Sequence, residues 1–435
     1  MLREPAVAGQ FYPDSPEKLK AMIESFVDTK EEKEEAIGLV VPHAGYIYSG
    51  AVAGAVISRI KFKDTFIIIG PNHTGYGQPF SVMTEGRWRT PMGEVQIDTE
   101  LARKLVSISS YFKEDTQAHK FEHSIEVQLP FLQYFKPDVK IVPIILAQGN
   151  KEIYKAIGLE LVQALRELKK EAVILVSSDM NHYEPQGVGQ KKDRQAINAI
   201  LDMDEDKLIE RVEGDNITMC GYAPAAVMLK AAKELGAEKA ELVRYQTSGD
   251  ISGDYNAVVG YAGIIIKKLS PLVKLAKDAL EGYVREKKIV EPTQLTPEME
   301  GQAGVFVCIK RTGELRGCIG TFEPCQDNVA KETIANAIST AINDPRFESV
   351  QESELRGLDY TVDVLTQPEP VESKDQLDPK KYGVIVEAGY RKGLLLPDLE
   401  GVNTVEEQIE ICRLKGEIGP DEPVKLYRFE VKRYT

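Results

Sequence analysis

Apolar, β-branched runs alternate with amphipathic stretches through the first part of the chain. Short apolar runs bounded by turn residues predict buried strands, and apolar positions that recur every three or four residues predict helices. The predicted strands are 36–41, 64–70, 80–83, 140–146, 171–177, 241–246 and 256–266, and the predicted helices are 15–28, 50–60, 99–108, 124–135, 151–168, 190–201, 205–213 and 222–235. This alternation predicts a layered α/β domain on a mostly parallel or mixed sheet.

The pattern changes after residue 266. Ser270 followed by Pro271 suits the start of a helix, so we place the boundary here, with domains at 1–268 and 269–435. The second domain has predicted helices at 271–288, 327–342 and 403–415, a hairpin of 304–311 and 314–321 across Thr312-Gly313, strands at 358–366, 383–388 and 393–396, and an alternating run at 424–431. Hairpins with helices between them predict an α+β domain on an antiparallel sheet.

Composition narrows the class of protein. The 435 residues are 43% hydrophobic and 28% charged, as in soluble globular proteins, and the net charge of -14 argues against nucleic-acid binding. No stretch approaches the ~20 apolar residues of a membrane span, and residues 1–5 lead into no apolar signal region, so we expect a cytoplasmic protein with no membrane partner. The five cysteines form no Cys-x-x-Cys pair, so we expect free thiols rather than disulfides.

The histidines carry the strongest chemical signal. All five lie between positions 43 and 182, and His43, His73 and His182 each come shortly after a predicted strand. Because ligands bind beyond the carboxyl ends of the strands in open α/β sheets, these imidazoles predict one site. Iron, copper and zinc sites combine imidazoles with an anionic ligand. His43 and His73, which lie in matching Gly-containing turns, are the candidate metal ligands, although each alone also fits a structural turn residue.

Cys220 is the candidate anionic ligand. It comes directly before the apolar helix that contains Pro224, and a thiol at a helix N-terminus has its thiolate favoured by the exposed N–H groups. A thiolate is also a strong ligand for soft metals. The alternative is a buried cysteine that only fills space.

His182 and Asp179 are the candidate acid/base pair. A carboxylate close to a histidine can fix its tautomer, which suits a general acid/base, and the alternative is a capping turn at the start of a helix. His123 precedes a predicted helix and either lines the site or stabilises the start of that helix; we count it among the catalytic candidates. His119 lies among polar residues and is expected in a solvated loop.

The hairpin residues Arg316, Gly317 and Cys318 predict a substrate-binding pocket in the second domain. Gly317 would let a substrate approach the backbone, and Arg316 offers a forked donor for an anion. This domain contains no histidine, which excludes a Cys–His nucleophile within it, while Glu314 or Asp363 could act as a base. The alternative is a hairpin whose tight turn is required only for folding.

The first domain resembles the Memo family in motifs that run in order through residues 1–266. They are Ala6-Val7-Ala8-Gly9-Gln10-Phe11-Tyr12, Pro42-His43-Ala44-Gly45-Tyr46, Gly70-Pro71-Asn72-His73, Arg89-Thr90-Pro91, Glu122-His123-Ser124-Ile125-Glu126, Ser177-Ser178-Asp179 with His182, and Cys220-Gly221. Memo proteins are similar in fold to class III extradiol dioxygenases, which hold non-haem iron.

This resemblance implies specific roles. His43, His73 and Cys220 would hold the metal, His182 with Asp179 would take the position of the dioxygenase catalytic histidine, and we expect Tyr46 to border the substrate pocket. The implied cofactor is iron, with copper or zinc as alternatives, because Cys220 stands where the dioxygenases have a carboxylate.

The second domain resembles the AMMECR family. The matching motifs are Leu315-Arg316-Gly317-Cys318-Ile319-Gly320-Thr321, Asp344-Pro345-Arg346-Phe347 and Gly393-Leu394-Leu395-Leu396-Pro397. Genomes pair such domains with a radical S-adenosylmethionine protein in the AmmeMemoRadiSam system, and this chain looks like a fusion of two of its components. The resemblance implies a radical S-adenosylmethionine protein as a partner, and the partners we consider besides it are a small-molecule substrate and a second copy of the chain.

Two hypotheses for function follow. The first is a metal-dependent, dioxygenase-like oxidoreductase, which requires a coordination position open to a substrate. The second is a non-catalytic metal-handling or scaffold protein, which requires no such position.

Overall fold

The computed structural model describes residues 1–28, 33–292, 294–311, 313–399 and 401–435. The chain divides into a first unit, Met1–Lys268, and a second unit, Leu269–Thr435. Each unit has a hydrophobic core of its own. Among the described residues, no helix is both long enough and apolar enough to cross a membrane.

The first unit contains strands β1 to β12 and helices α1 to α10. The strands are β1 (Leu2–Arg3), β2 (Gly38–Val41), β3 (Thr65–Pro71), β4 (Phe80–Val82), β5 (Arg87–Thr90), β6 (Gly93–Ile97), β7 (Lys113–Glu114), β8 (Lys140–Leu146), β9 (Ala172–Ser177), β10 (His182–Glu184), β11 (Lys239–Thr247) and β12 (Val258–Lys267). The helices are α1 (Pro16–Glu24), α2 (Tyr46–Ile57), α3 (Thr99–Ile108), α4 (Gln117–Lys120), α5 (Leu129–Phe135), α6 (Lys151–Leu168), α7 (Gln186–Leu201), α8 (Glu205–Gly214), α9 (Tyr222–Glu234) and α10 (Gly249–Ser252).

The centre of the first unit is a mixed sheet whose strands β8, β3, β9 and β2 are neighbours and all parallel. β12 runs antiparallel beside β2, and both β10 and β11 pair with β12. Every residue of β2 and β3 is buried, which explains their unbroken apolar runs, because helices must cover both faces of such strands. The predicted α/β class is confirmed. The carboxyl ends of β3, β9 and β2 therefore lie side by side.

The first unit differs from the prediction in two local features. The predicted helix 124–135 is divided into a 3-10 turn, Glu126–Gln128, and α5, which begins at Leu129. β5 and β6 were not predicted, because each has only four or five residues, of which just two are buried.

The second unit has two antiparallel four-stranded sheets rather than one. Its elements are α11 (Pro271–Glu286), α12 (Pro297–Glu300), β13 (Val305–Arg311), β14 (Glu314–Thr321), α13 (Val329–Ile342), β15 (Leu358–Leu365), β16 (Glu369–Val371), β17 (Gly383–Ala388), β18 (Arg391–Leu395), α14 (Val405–Lys415), β19 (Lys425–Phe429) and β20 (Val431–Tyr434). One sheet has the order β14-β13-β15-β20 and the other the order β16-β19-β17-β18. The single alternating run predicted at 424–431 thus contributes strands to both sheets.

The cysteines of the second unit correct the expectation of free thiols. Cys308 and Cys318 are register partners on β13 and β14 and form a disulfide, while Cys220, Cys325 and Cys412 are free. The register of this hairpin, which sets Cys308 opposite Cys318, cannot be obtained from cysteine spacing. Thr312, which was predicted in the turn, lies outside the described residues.

We predict that Gly393→Ala destabilises the second unit. A Cβ at Gly393 would lie 1.8 Å from the carbonyl oxygen of Cys412, so β18 and α14 would have to move apart. The expected loss is about 3 kcal/mol of unfolding free energy, measured by calorimetry of the full chain. Gly357→Ala, where a Cβ meets nothing within 4 Å, is the control and should cost less than about 1 kcal/mol. Equal melting of the two variants would contradict the packing argument.

Candidate metal centre

Three imidazoles meet beyond the carboxyl ends of the central strands. The turn after β2 carries His43, the turn after β3 carries His73, and the loop before α5 carries His123. One donor atom from each of the three lies within 4.8 Å of the others. The ring centroids are 5.1 Å apart for His43 and His73, 5.4 Å for His43 and His123, and 4.8 Å for His73 and His123. This cluster could hold one metal ion.

Hydrogen bonds fix the orientation of the buried His43. The Ser177 hydroxyl donates to the carbonyl of Ser124 at 2.5 Å and accepts from the Gln128 amide at 2.9 Å. Nδ1 of His43 lies 3.0 Å from the Ser177 oxygen, whose proton is already committed, so Nδ1 carries the hydrogen and donates it. Nε2 therefore carries the lone pair of the ring. Burial, reinforced by His73, lowers the pKa of His43 well below its usual value, which keeps the ring neutral.

Glu122 orients His73 and lies beside His123. The backbone N–H and Nδ1 of His73 donate to its two carboxylate oxygens at 2.7 and 2.9 Å, and Nδ1 of His123 lies 3.5 Å from the same carboxylate. Burial would raise the pKa of Glu122, but the hydrogen bond and charge of His73 lower it to about 2. Burial would likewise lower the pKa of His73, but Glu122 raises it. A carboxylate behind a histidine in this way fixes the tautomer of a metal ligand.

Cys220 borders the cluster beside His43. Its Sγ lies 3.3 Å from Nε2 of His43 and 3.7 Å from the carbonyl oxygen of Asp179. The expectation that the start of α9 favours its thiolate is wrong for the metal-free chain, because burial is the largest effect and raises the pKa of Cys220. The sulfur is not among the three donors that lie within 4.8 Å of one another, so the predicted ligand set of His43, His73 and Cys220 is replaced by His43, His73 and His123. A bound cation would also be needed to ionise the thiol.

Asp179 and His182 do not form the predicted pair. Asp179 accepts instead from the backbone N–H of His43 at 2.8 Å, and burial raises its pKa to about 7. Nδ1 of His182 lies 2.9 Å from the carbonyl of Thr218, which can only accept, and the His182 backbone N–H donates to the Thr218 hydroxyl at 2.7 Å. Thr218 is thus the residue that fixes the tautomer of His182, and its only signal in the sequence is its nearness to Cys220.

Tyr46 and His119 are both more deeply enclosed than expected. The Tyr46 hydroxyl donates to the carbonyl of Val127 at 2.6 Å, and its ring packs on Phe131, so this hydroxyl is engaged inside the protein. The prediction of a solvated His119 is wrong. That ring is fully buried, 3.0 Å from the Ser81 hydroxyl and edge-on to Trp88, and burial lowers its pKa to about 3.

A buried ion pair behind the cluster was not predicted. Arg3 pairs with Glu126 and also donates to the carbonyls of His119, at 3.1 Å, and of Glu122, at 2.7 Å. Glu126 accepts further from the backbone at residues 6 and 7 and from the hydroxyl of Tyr12. The first twelve residues therefore hold the loop that carries Glu122 and His123.

The predicted pocket residues of the second unit are engaged in internal contacts. Arg316 makes a two-point ion pair with Glu354 at 2.9 and 3.0 Å, so its fork is not free for an anion. A Cβ at Gly317 would lie 3.0 Å from the carbonyl of Thr340, and Cys318 is in the disulfide. Of the two candidate bases, Asp363 is buried against Arg433, while Glu314 is exposed. These contacts favour the structural interpretation of the hairpin.

Relatives of the first unit cover its whole length. A MEMO1 family protein of Methanococcoides burtonii is 47% identical over 268 residues, which are 61% of this chain and 100% of that protein. Another, from Methanopyrus kandleri, is 44% identical over 282 residues, covering 62% of this chain and 100% of that protein.

Two solved structures are also similar. Uncharacterized protein PH0010 from Pyrococcus horikoshii is 35% identical, with a TM-score of 0.35, over 37% of this chain and 88% of that chain. Uncharacterized protein JW3007 from Escherichia coli is 16% identical, with a TM-score of 0.39, over 52% of this chain and 98% of that chain.

Family models account for both units. The model for Memo-like proteins matches residues 3–265, and the AMMECR1 model matches residues 273–434. The Memo match spans more than half of the chain. The chain therefore belongs to the Memo-like protein family, and it carries an AMMECR1 domain after its Memo domain.

Proposed function

We propose that the first unit is a metal-dependent, non-haem oxidoreductase of the dioxygenase-like kind, which acts on a small molecule. His43, His73 and His123 would hold the metal, with the sulfur of Cys220 beside them as a further donor. Iron is the proposed metal, with copper and zinc as alternatives, because imidazole suits all three. When bound, the metal would supply Lewis acidity and, in the case of iron or copper, redox chemistry.

This proposal rests on the hydrogen bonds that orient the imidazole donors. Nδ1 of His43 donates to Ser177 and Nδ1 of His73 donates to Glu122, so Nε2 is the nitrogen of each ring that is left to face a cation. Oriented imidazoles need little rearrangement to bind a cation, which is the usual function of hydrogen bonds behind metal ligands; His43 is already neutral, and a cation would displace any proton from Nε2 of His73.

His182 and Asp179 are proposed to move protons at this centre. Nδ1 of His182 donates to Thr218, which leaves Nε2 as the acceptor, and burial lowers the pKa of His182 so that the ring is neutral at pH 7. Asp179 has a pKa of about 7 and can hold or release a proton near neutrality. A carboxyl group with a pKa near neutrality, beside a neutral imidazole that can accept a proton at Nε2, suits acid/base chemistry.

The second candidate is a non-catalytic metal-handling protein, and the position of Cys220 favours it. A sulfur 3.3 Å from Nε2 of His43 could complete a four-donor set of three imidazoles and one thiolate by moving toward the cluster, since it lies outside the three donors that are within 4.8 Å of one another. Closed tetrahedral sets are typical of structural sites, whereas catalytic sites keep one position open. Azide titration of the chain loaded with ferric iron or Cu(II) separates the candidates, because azide that enters an open position of these ions adds a charge-transfer band to the absorption spectrum.

We expect that His43→Ala and His123→Ala each lower the metal content of anaerobically purified protein at least about tenfold, since each removes a donor. Elemental analysis of wild type and variants measures this. Cys220→Ser should retain metal if three imidazoles suffice. His182→Gln is the matched control, because it removes an imidazole outside the cluster and should keep wild-type content. Metal that survives both His43→Ala and His123→Ala would remove the proposed centre.

The proposed partners follow from the resemblance of both domains to a known genomic pairing. We propose that the chain works with a radical S-adenosylmethionine protein, and we also consider a homodimer. Anaerobic size-exclusion chromatography of the two purified proteins, separately and mixed, tests the first idea. Analytical ultracentrifugation of the chain alone tests the second.

A further inference from the structure

A groove outside the metal centre runs along one face of α7. Five of its lining residues lie on one face of α7, and the sixth belongs to β11. They are Gly187, Gln190, Lys191, Arg194, Ile197 and Tyr245. Its volume is about 600 Å³, within the range of small-molecule sites. We call it the α7 groove. It contains no histidine, cysteine or carboxylate, so it is chemically unlike the metal centre.

The charge of the α7 groove is opposite to that of the chain. The net charge is -14, yet both ionised residues on the groove wall, Lys191 and Arg194, are cationic. Within the described ranges, neither side chain has a hydrogen bond or an ion pair. Nearby cations differ, since Lys192 pairs with Glu184 and Lys207 pairs with Asp202. The two groove cations lack the carboxylate partners that neutralise their neighbours.

The base of the α7 groove is held by buried hydrogen bonds. The Tyr245 hydroxyl donates to Oδ2 of Asp193 at 2.6 Å, and Oδ1 of Asp193 accepts from the backbone N–H of Asn181 at 2.7 Å. Asp193 is therefore occupied inside the protein and is not an ion-pair partner for Arg194. Ile197 is buried beneath the groove and packs its floor. A fixed aromatic and apolar floor beneath two unpaired cations suits the binding of a small organic anion.

We propose that the α7 groove binds a doubly negative group of a small molecule, a phosphate or a dicarboxylate. Arg194 would supply forked donors and Lys191 a compact charge, the combination that recognises such groups in proteins. Gln190 would add an uncharged donor at the rim. The inference is independent of the proposed oxidoreductase function, because it uses no residue of the metal centre.

Ligand-observed NMR of the full chain tests this inference, with inorganic phosphate and succinate as separate probes. For wild type, we expect the binding of one or both probes to saturate at probe concentrations of about 10 mM. In Arg194→Gln, we expect the affinity to fall at least about tenfold, because a charge-assisted hydrogen bond is removed. Lys191→Gln should weaken binding less. The relative affinities of the two probes identify the phosphate or the dicarboxylate as the better ligand.

The control is Lys207→Gln, which removes an equal charge from a paired surface lysine and should leave binding within about twofold. His43→Ala should also retain binding, which separates the α7 groove from an anion held at the metal. Absence of saturation by both probes, or equal affinity of wild type and Arg194→Gln, would overturn the inference. Loss of binding in His43→Ala would overturn it as well, by locating the anion at the metal centre.

Discussion

Replacing Arg3 by Ala is expected to lower the unfolding free energy of the first unit by about 3–5 kcal/mol, because it leaves the fully buried Glu126 without its cation. The same change removes two donors from the loop that carries Glu122 and His123. We therefore also expect metal affinity to fall about tenfold or more, although no proposed ligand is altered. Urea unfolding followed by fluorescence measures the first effect, because Trp88, the one tryptophan of the chain, lies in this unit with the Arg3 guanidinium 4.4 Å from its ring.

Arg89→Ala is the matched control for this prediction. Arg89 also forms ion pairs, with Glu4 and Glu94, but they are exposed and should contribute less than about 1 kcal/mol. Glu126→Gln in the Arg3→Ala background should recover part of the stability, because it removes the unpaired charge. If Arg3→Ala unfolds at the same urea concentration as Arg89→Ala, the buried pair does not hold the loop. Unchanged metal affinity in a destabilised Arg3→Ala would separate folding from the metal site.

Replacing Asp193 by Asn is expected to change how stability depends on pH. Burial raises the pKa of Asp193 to about 6, from 3.8 in the unfolded chain. The folded state therefore binds the proton more tightly than the unfolded state. The stability that this proton contributes is fully present below pH 4 and is lost as the pH rises through 6. The difference between the two pKa values corresponds to about 3 kcal/mol of unfolding free energy. Asn keeps an acceptor for the Asn181 N–H without ionising, so the variant should gain stability over wild type as pH rises from 4.5 to 7.5.

Urea unfolding of metal-free protein at the two pH values, followed through Trp88, measures this effect. Tyr245→Phe is the companion variant, because it removes a hydrogen bond that lowers the pKa of Asp193. The pH dependence should therefore become larger in Tyr245→Phe and smaller in Asp193→Asn. Parallel stability curves for wild type and Asp193→Asn would show that this carboxyl group does not titrate between pH 4 and 6.

The acid/base candidates show where a local pattern was misleading. Asp179 and His182 are neighbours in sequence, which favoured a pair, but the backbone directs Asp179 to the N–H of His43 and His182 to Thr218. Nearness along a chain does not determine which groups face each other after a turn. Arg316 gives the same lesson in the second unit, because its partner Glu354 comes from a segment distant in sequence.

The sequence by itself determined the α/β and α+β classes, most of the central strands, and the delivery of His43 and His73 to one edge of a sheet. Those features depend on apolar periodicity and on parallel strands that end together, and both can be read along the chain. Only the tertiary structure decided that His123 joins these imidazoles, that Glu122 and Arg3 stand behind them, and that Cys308 faces Cys318. These contacts join segments far apart in sequence, and the geometry that brings them together is set by packing and strand register rather than by any local pattern.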